Sequence, residues 1–476
     1  MQARKMEYTL TDDLLVQCLR MAPAEPHRRE PFDGRYPEVS TMASGFRLND
    51  GGKSALRGGE SSLKARFEEL SSSEWDEFVQ NAALHGIAPF IYRLFKTGHL
   101  NTFIPAETLS CLRQMSLANA ARNMALYHNL GKILNVFHQK EIPVVVLKGA
   151  YLAELVYGDI ALRPMNDLDL LVCEEDLLRA ERALFELGYT PMELQRKVSK
   201  DTYHFTYSLP NKALFVEIHW TLLEPSFPVQ VNIRDQWKRV KPVFIGGHQC
   251  STLCPEDLLI YLCLHACKDT FIHGLRSLLD IGLTLEKFKA ELDWKMVIDL
   301  AHQGKMGKCV YLTLCLARDL LGVSVRETLS GTVPGTVLEA VPEAVPEAVL
   351  NSLRPENFDD QYLHLAKREV FSKKHQESKV LASSPNIALL FNSKGVMSKL
   401  VLILERIFPS KETMARLYPA PADSVRIYFY YPRRLLDLLV KHRRKMRSWF
   451  CDRNDLSDAA RQTNESSSLK EWLLSP

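Results

Sequence analysis

The stretch from Ile142 to Val172 constrains the possible folds of this chain most, because it combines buried-strand patterns with regularly spaced acids. Residues Pro143 to Leu147 form a short β-branched apolar run, which is typical of a buried strand. The small residues of Lys148-Gly149-Ala150 interrupt this run, and helical spacing follows from Tyr151 to Tyr157. The stretch therefore predicts a strand, a glycine turn and a helix, after which the chain enters a second strand.

The second strand carries two acids on one face. Alternation places Asp167 and Asp169 on one side of the strand and Leu168 and Leu170 on the other. Two carboxylates this close destabilise each other unless a cation lies between them, and Mg²⁺ is a suitable cation because it prefers oxygen ligands. Alternating acids also occur on solvated strands, but the leucines indicate a mostly buried one. The sequence therefore predicts Asp167 and Asp169 as metal ligands.

A third acid lies on a later predicted strand. Two strand patterns, at 203–209 and 213–220, are joined by Pro210-Asn211-Lys212 and predict a hairpin. Alternation in the second strand places Glu217 and His219 on one face. If this strand neighbours the Asp167–Val172 strand, three carboxylates cluster and can hold one or two Mg²⁺ ions, as in phosphoryl transfer. The alternatives are a solvated edge glutamate and a purely structural histidine.

The turn at Lys148-Gly149-Ala150 is the candidate phosphate-binding element. It opens a helix, so its backbone N–H groups can bind a triphosphate, and its glycine permits close approach of the phosphate. Lys148 either contacts a phosphate or is a surface lysine at a strand end. Arg163, on the loop that leads to the acids, either binds a phosphate or pairs with Asp159 or Asp167.

Helical patterns flank this region on both sides. A capping-box spacing from Ser71 to Glu74 begins a helix, and a long helix is predicted from about 106 to 140. From Pro255 onwards the pattern is helical, and His265 and Asp280 on these helices either pair with each other or line a cleft. The segment 26–60 is predicted as a flexible insertion, and prolines every four residues predict an irregular linker within 332–349.

Composition limits the classes of partner. The net charge of +3 gives no bulk signal for binding polyanions, and no basic stripe interleaved with aromatics flanks the predicted core, so nucleic acid is not expected as a partner. The basic run at 433–447 is predicted as a solvated helix face, with a membrane surface or an anionic partner as the alternative. No transmembrane segment or secretory signal is predicted, and ten scattered cysteines favour reduced thiols, so we expect a cytoplasmic protein.

These motifs resemble a known superfamily. A glycine turn between strand and helix, Asp-hydrophobic-Asp on the next strand and a third acid on a later strand are the pattern of polymerase-β-like nucleotidyltransferases. The chain resembles, more narrowly, the family of uncharacterised nucleotidyltransferases found mostly in bacteria, from about Ser73 to about Arg444. The residues that carry this resemblance are LKG, the connection from Tyr157-Gly158-Asp159 to Arg163-Pro164, NDLDLLV, VEIHW, His265-Ala266-Cys267-Lys268 and Arg276 to Ile281.

The resemblance implies a transferase that moves a nucleoside monophosphate from an NTP to an acceptor hydroxyl, with Mg²⁺ as cofactor. Asp167 and Asp169 would bind the metal, and Glu217 would ligate it or activate the acceptor hydroxyl. Gly149 would mark the triphosphate turn, although Ala150 departs from the family pattern because it offers no hydroxyl. The acceptor would be a small molecule, a peptide or a protein, and the motifs do not distinguish these classes. The alternative is a catalytically inactive nucleotide-binding or protein-interaction module on the same fold.

The expected fold class is α+β, with a small mixed sheet in a nucleotidyltransferase core, flanking N-terminal helices and a largely helical C-terminal region. The sheet is predicted from strands near 143, 168, 203 and 213. The expected regions are an N-terminal helix and flexible insertion (1–72), an N-terminal helical region (73–140), the catalytic core (141–250), a helical region closing the cleft (251–330), a Pro-rich linker (331–356), a C-terminal helical region (357–452) and a flexible tail (453–476).

Overall fold

The computed structural model contains a single mixed sheet of seven strands. It describes residues 9–20, 63–97, 103–192, 202–209, 214–322, 345–372, 468–475 and six positions between 424 and 432. The chain divides into two compact units, 1–372 with 469–476 and 373–468, and the described residues belong almost entirely to the first. The strand order is β3-β4-β5-β2-β1-β7-β6, and β2 pairs in parallel with β5. The strands are β1 (Val145–Val146), β2 (Asp167–Leu171), β3 (Thr190–Pro191), β4 (His204–Ser208), β5 (Phe215–His219), β6 (Lys241–Ile245) and β7 (His248–Thr252).

Helices flank this sheet and contain most of the residues in regular structure. The mixed sheet and the helices confirm the predicted α+β fold class. A further short helical segment covers 63–68, and another covers 468–474. The helices are α1 (Leu10–Arg20), α2 (Ser72–Leu84), α3 (Ala88–Thr97), α4 (Ala106–Gln139), α5 (Lys148–Tyr151), a π-helix (Leu152–Val156), a 3₁₀-helix (Glu174–Asp176), α6 (Leu177–Glu186), α7 (Ile233–Arg239), α8 (Pro255–Lys268), α9 (Leu275–Phe288), α10 (Trp294–Gln303), α11 (Gly307–Leu321), α12 (Glu347–Leu353) and α13 (Asp360–Val370).

The 34-residue helix α4 fixes the loop that precedes the acids. Asn123 Nδ2 donates to the carbonyl oxygen of Arg163 at 2.8 Å, and Asn119 Nδ2 donates to that of Ala161 at 2.6 Å. Such side chains satisfy carbonyl groups that a buried loop would otherwise leave without partners. The Tyr127 hydroxyl also donates to the Ala150 carbonyl at 2.5 Å. Helix α4 therefore positions both the start of α5 and the approach to β2.

Helix α2 begins as predicted. The Ser71 hydroxyl accepts from the backbone N–H of Glu74, and the Glu74 carboxylate accepts from the backbone N–H of Ser71, which forms a capping box. The hairpin of β4 and β5 is likewise confirmed by antiparallel pairing, although the predicted turn at 210–212 lies outside the described residues.

Three predictions of local structure were wrong. The hairpin of β6 and β7 was missed, so the sheet is larger than predicted. Helix α12 occupies Glu347–Leu353 inside the predicted irregular linker, because the last proline of the repeat, Pro346, precedes its first turn. The end of the predicted flexible tail is helical at 468–474, where Leu469 is fully buried and Trp472 stacks on Tyr362 with ring centroids 4.5 Å apart.

Other predictions lie outside the described residues: the insertion at 26–60, the proline repeat before Val345, the basic run at 433–447 and the tail at 453–467. Within the described helices, none is long and apolar enough to cross a membrane.

Candidate active site

Asp169 and Glu217 lie side by side in the sheet. The parallel register of β2 and β5 places Asp169 directly opposite Glu217. The Nε2 atom of His219 is 3.3 Å from Asp169 Oδ1 and 3.3 Å from Glu217 Oε2, so these two carboxylate oxygens are separated by at most twice that distance. Asp167 begins β2 two residues earlier, on the same face as Asp169. The structure thus brings the three predicted acids together.

The three carboxyls of this cluster differ in protonation. Burial opposes ionisation of Asp169, but Lys148 and His219 hold the pKa of its carboxyl well below the ordinary value. Burial likewise opposes ionisation of Glu217, and the hydrogen bond from His219 brings its pKa below the ordinary value. Burial, together with the charges of Asp169 and Glu217, raises the pKa of Asp167 to about 7. Without a metal ion, the Asp167 carboxyl therefore titrates close to neutral pH.

Two histidines border the acids. Burial lowers the pKa of His219, but its hydrogen bonds to Asp169 and Glu217 raise it above the ordinary value. His204, on β4, has its Nε2 atom 3.8 Å from Glu217 Oε2, and burial lowers its pKa to about 4. The two imidazole rings lie 4.9 Å apart between centroids. His219 therefore supports the acids directly, whereas His204 is a neighbour that sequence reasoning did not identify.

The acid cluster fits a divalent cation. Asp169 Oδ2 is buried and has no hydrogen-bond partner among the described residues, which is costly for a carboxylate oxygen unless an ion occupies the position next to it. The cluster concentrates three carboxylates, which are the ligands that Mg²⁺ prefers. His204, Glu217 and His219 also offer ligand atoms within 4.8 Å of one another. The donor set is thus suitable for a metal, with oxygen ligands in the majority.

Lys148 begins helix α5 next to the acids. Its Nζ atom lies 3.7 Å from Asp169 Oδ1 and 2.7 Å from His265 Nε2. Burial lowers the pKa of Lys148, but Asp169 and the other acids raise it above the ordinary value, so the side chain is charged. The alternative of a surface lysine is therefore wrong, because the side chain is only 18% exposed and faces the carboxylates.

Gly149 and Ala150 belong to the first turn of helix α5 instead of a separate turn before it. A Cβ atom at Gly149 would lie 3.3 Å from Met165 Sδ, so the glycine permits close packing of the loop before β2. Ala150 is buried, and its carbonyl is held by Tyr127. The first N–H groups of a helix have no partner within it, so Lys148, Gly149 and Ala150 present backbone donors at this end.

Arg163 does not pair with Asp159 or Asp167, which were its two predicted partners. Its Nε and Nη2 atoms donate to the two carboxylate oxygens of Asp280, each at 2.7 Å, and both side chains are at most 7% exposed. The Tyr157 hydroxyl adds a third hydrogen bond to Asp280 at 2.7 Å. Because Asp280 neutralises the charge of this guanidinium, Arg163 is poorly suited to bind a phosphate, although it lines the adjacent cavity.

A cavity of about 170 Å³ lies between the acids and the helices that follow the sheet. Its lining includes four of the predicted site residues on β2 and α5, and also Arg163, but not Ala150 or Glu217. His265 and Asp280 both line it and do not pair with each other, which agrees with the cleft alternative. The full lining is Lys148, Gly149, Arg163, Pro164, Met165, Asn166, Asp167, Asp169, Leu262, His265, His273, Arg276, Ser277 and Asp280.

Sequence reasoning identified Lys148 and His265 on this side of the cavity but assigned no site role to Arg276, Asp269 or His273. Arg276 lies one residue into α9 and donates to the Pro164 carbonyl at 3.2 Å and to His273 Nδ1 at 3.0 Å. His265, Asp269 and His273 also form a group whose ligand atoms lie within 4.8 Å of one another. Lys148 and Arg276 already donate to one ring nitrogen of each histidine, so this group is better described as a support for two cations than as a metal site.

The sequence was compared with known proteins. Residues 71–322, more than half of the chain, match the sequence pattern of a family described as uncharacterised nucleotidyltransferases. The chain belongs to this family of nucleotidyltransferases. Among solved structures, the solution structure of the antibiotic-resistance factor ANT(2'')-Ia is similar to the chain with a TM-score of 0.28 and 13% identity, over 41% of this chain and 93% of that one. No curated protein matches the sequence.

The nucleotidyltransferase match spans every element that forms the cavity. It begins at the capping residue Ser71, includes the acid-bearing strands β2 and β5, and ends at Gly322, immediately after α11. Membership in this family indicates nucleotide transfer as the class of reaction and confirms the resemblance drawn from the sequence motifs.

Proposed function

We propose that this chain transfers a nucleoside monophosphate from an NTP to an acceptor hydroxyl, with Mg²⁺ bound by Asp167, Asp169 and Glu217. The observation that carries this proposal is the convergence of these acids on two adjacent parallel strands, beside a buried carboxylate oxygen of Asp169 that lacks a hydrogen-bond partner among the described residues. When bound, the metal supplies Lewis-acid stabilisation of the charge that develops on the phosphoryl oxygens.

Residues of the chain would bind the triphosphate and accept the proton of the acceptor hydroxyl. Lys148 and the first N–H groups of α5 bind the triphosphate, because a helix N-terminus and a charged lysine both attract phosphate. The acceptor oxygen bonds to the α-phosphorus as the bond to pyrophosphate breaks. The acceptor proton passes to Glu217, whose carboxyl His219 keeps ionised at neutral pH. Pyrophosphate then leaves from the side of the cavity that Lys148 lines.

The test of this proposal is pyrophosphate release in the presence of Mg²⁺, with α-labelled NTPs and mixtures of metabolites and proteins as acceptors. Asp169→Asn should reduce release by about a thousandfold, because removal of a charge that stabilises the transition state commonly costs this much. Asp299→Asn, an exposed aspartate on α10, is the matched control and should retain wild-type release. Release that is absent from the wild type, or unchanged by Asp169→Asn, would contradict the proposal. The label identifies whether the acceptor is a small molecule, a peptide or a protein.

A catalytically inactive nucleotide-binding module is the second candidate. The observation that favours it is Ala150, which places no hydroxyl in the first turn of α5, where it could hold a phosphate. On this alternative, the chain binds NTP with Mg²⁺ but releases no pyrophosphate with any acceptor. Binding measured by calorimetry alongside the release assay separates the two candidates.

A further inference from the structure

In the described part of the chain, a half-buried cation without a carboxylate in contact lines the cavity. Arg276 lines the cavity, and no carboxylate among the described residues lies within 4.0 Å of its guanidinium. Its guanidinium donates hydrogen bonds to the Pro164 carbonyl and to His273 Nδ1, neither of which is a carboxylate. Burial and the neighbouring Arg163 lower the pKa of Arg276, and this outweighs the more distant charges of Asp280 and Asp167, which raise it. A guanidinium at a cavity wall with no carboxylate in contact is suited to bind an anion.

The surrounding residues aim this guanidinium into the cavity. Arg276 Nη2 donates to His273 Nδ1, so the N–H of this ring is on Nε2, which lies 3.2 Å from Asp269 Oδ2. His265 stacks on His273 with centroids 5.3 Å apart, and its Nε2 atom accepts from Lys148. Asp269 therefore fixes the ring that holds Arg276, and the adjacent ring holds the second cation of the cavity.

The turn between α2 and α3 supports the stem of the same side chain. A Cβ atom at Gly86 would lie 3.3 Å from Arg276 Cδ, and Gly86 has a φ of +65°. Glycine is therefore favoured at this position for two reasons: it adopts the positive φ of the turn, and it leaves room for the Arg276 side chain. Arg276 is thus constrained from the N-terminal helices, from the loop before β2 and from His273.

We propose that Arg276, together with Lys148, binds the β- and γ-phosphates of the NTP, and that Asp269 and His273 are positioning residues for Arg276. The inference rests on the proposed function, because it assigns the triphosphate side of the same cavity. It replaces Arg163, which the sequence had indicated, by an arginine that has no carboxylate partner among the described residues. A triphosphate suits the site because it brings several negative charges to two adjacent cations, opposite the acids that would hold the metal.

The experiment is calorimetric titration at fixed excess Mg²⁺ with three probes: an NTP, inorganic tripolyphosphate and a nucleoside monophosphate. We expect Arg276→Gln to weaken binding of the NTP and of tripolyphosphate by roughly 10- to 100-fold, which corresponds to the loss of hydrogen bonds to charged groups. Binding of the monophosphate should change by less than about threefold, because its single phosphate lies on the metal side. Arg276→Lys, which keeps the charge, should show an intermediate loss and provides the measurement if Arg276→Gln does not fold.

Two further variants separate positioning from structure. Asp269→Asn should weaken tripolyphosphate binding by about three- to tenfold at an unchanged unfolding midpoint, because the orientation of His273 is relaxed while the fold is retained. Arg182→Gln, an exposed arginine on α6, is the matched control and should bind all three probes as the wild type does.

The outcomes distinguish this inference from the proposed function. Wild-type affinity for tripolyphosphate in both Arg276 variants, or a larger loss in Arg163→Gln/Asp280→Asn than in Arg276→Gln, overturns the inference and leaves the proposed function standing. Triphosphate binding that depends on Arg276 without any pyrophosphate release supports the inference and rejects the proposed transfer. A wild type that binds neither the NTP nor tripolyphosphate overturns the inference outright.

Discussion

The pair between Arg163 and Asp280 should be among the costliest contacts to break in the described part of the chain. Both side chains are at most 7% exposed, and two hydrogen bonds of 2.7 Å join them. Asp280→Asn leaves the guanidinium buried without its counter-charge, and removal of one partner from a buried ion pair costs about 3–5 kcal/mol. The double variant Arg163→Gln/Asp280→Asn replaces the ions by a neutral pair that can still hydrogen-bond. It should cost less than the sum of the single variants by at least about 2 kcal/mol.

The assay is urea unfolding of the four proteins of this double-mutant cycle, monitored by circular dichroism at fixed pH. A change in the midpoint at constant m-value reports the change in the free energy of unfolding. Asp299→Asn again serves as the control for loss of an exposed carboxylate. A loss below about 1 kcal/mol for Asp280→Asn, or additive single variants, would refute the reasoning, because it would mean that the pair is solvated and contributes no more than a surface ion pair.

Three further predictions concern the cavity and its supports. The pKa of Asp167 in the folded chain, about 7, lies above its unfolded value, so the contribution of Asp167 to the stability of the metal-free protein falls as the pH rises towards 7. In thermal unfolding, Asp167→Asn should therefore stabilise the protein more at pH 8 than at pH 5. Gly86→Ala should cost roughly 1–2 kcal/mol in urea unfolding, because φ is +65° and the new methyl group meets Arg276. Deletion of 468–476 should cost about 3 kcal/mol or more by the same measurement, because it removes the buried side chains of Leu469 and Leu473; an unchanged midpoint would show that this helix does not pack on the fold.

The acids were predictable because strand alternation is a local signal. The period of two fixes Asp167 and Asp169 on one face, and the same rule places Glu217 with His219. What alternation cannot supply is the pairing of β2 with β5, which are separated by a helix and two other strands in the chain. The predicted cluster of three acids therefore required β2 and β5 to be neighbours. The structure pairs these strands, with Asp169 opposite Glu217.

The missed hairpin of β6 and β7 had a signal that was overlooked. Gly246 and Gly247 form a two-residue loop, and both have positive φ, of 58° and 80°. A glycine pair between two short runs is a recognised hairpin signal. The flanking strands are short and carry exposed residues such as Phe244, so their alternation is weak.

The same reasoning could not assign the contacts of the two arginines of the cavity, because of where they lie in the chain. Arg163 and Arg276 occupy a loop and a helix start, where no periodic pattern fixes the direction of a side chain. Asp280 lies one helical turn after Arg276 but pairs with Arg163, which is 117 residues away in the chain. A phosphate site requires a positive charge that a carboxylate does not already neutralise. Its location therefore depends on the pairing of Arg163 with Asp280, which are more than a hundred residues apart in the chain. The faces of Asp167, Asp169 and Glu217 thus follow from the sequence, whereas the choice between Arg163 and Arg276 requires the tertiary structure.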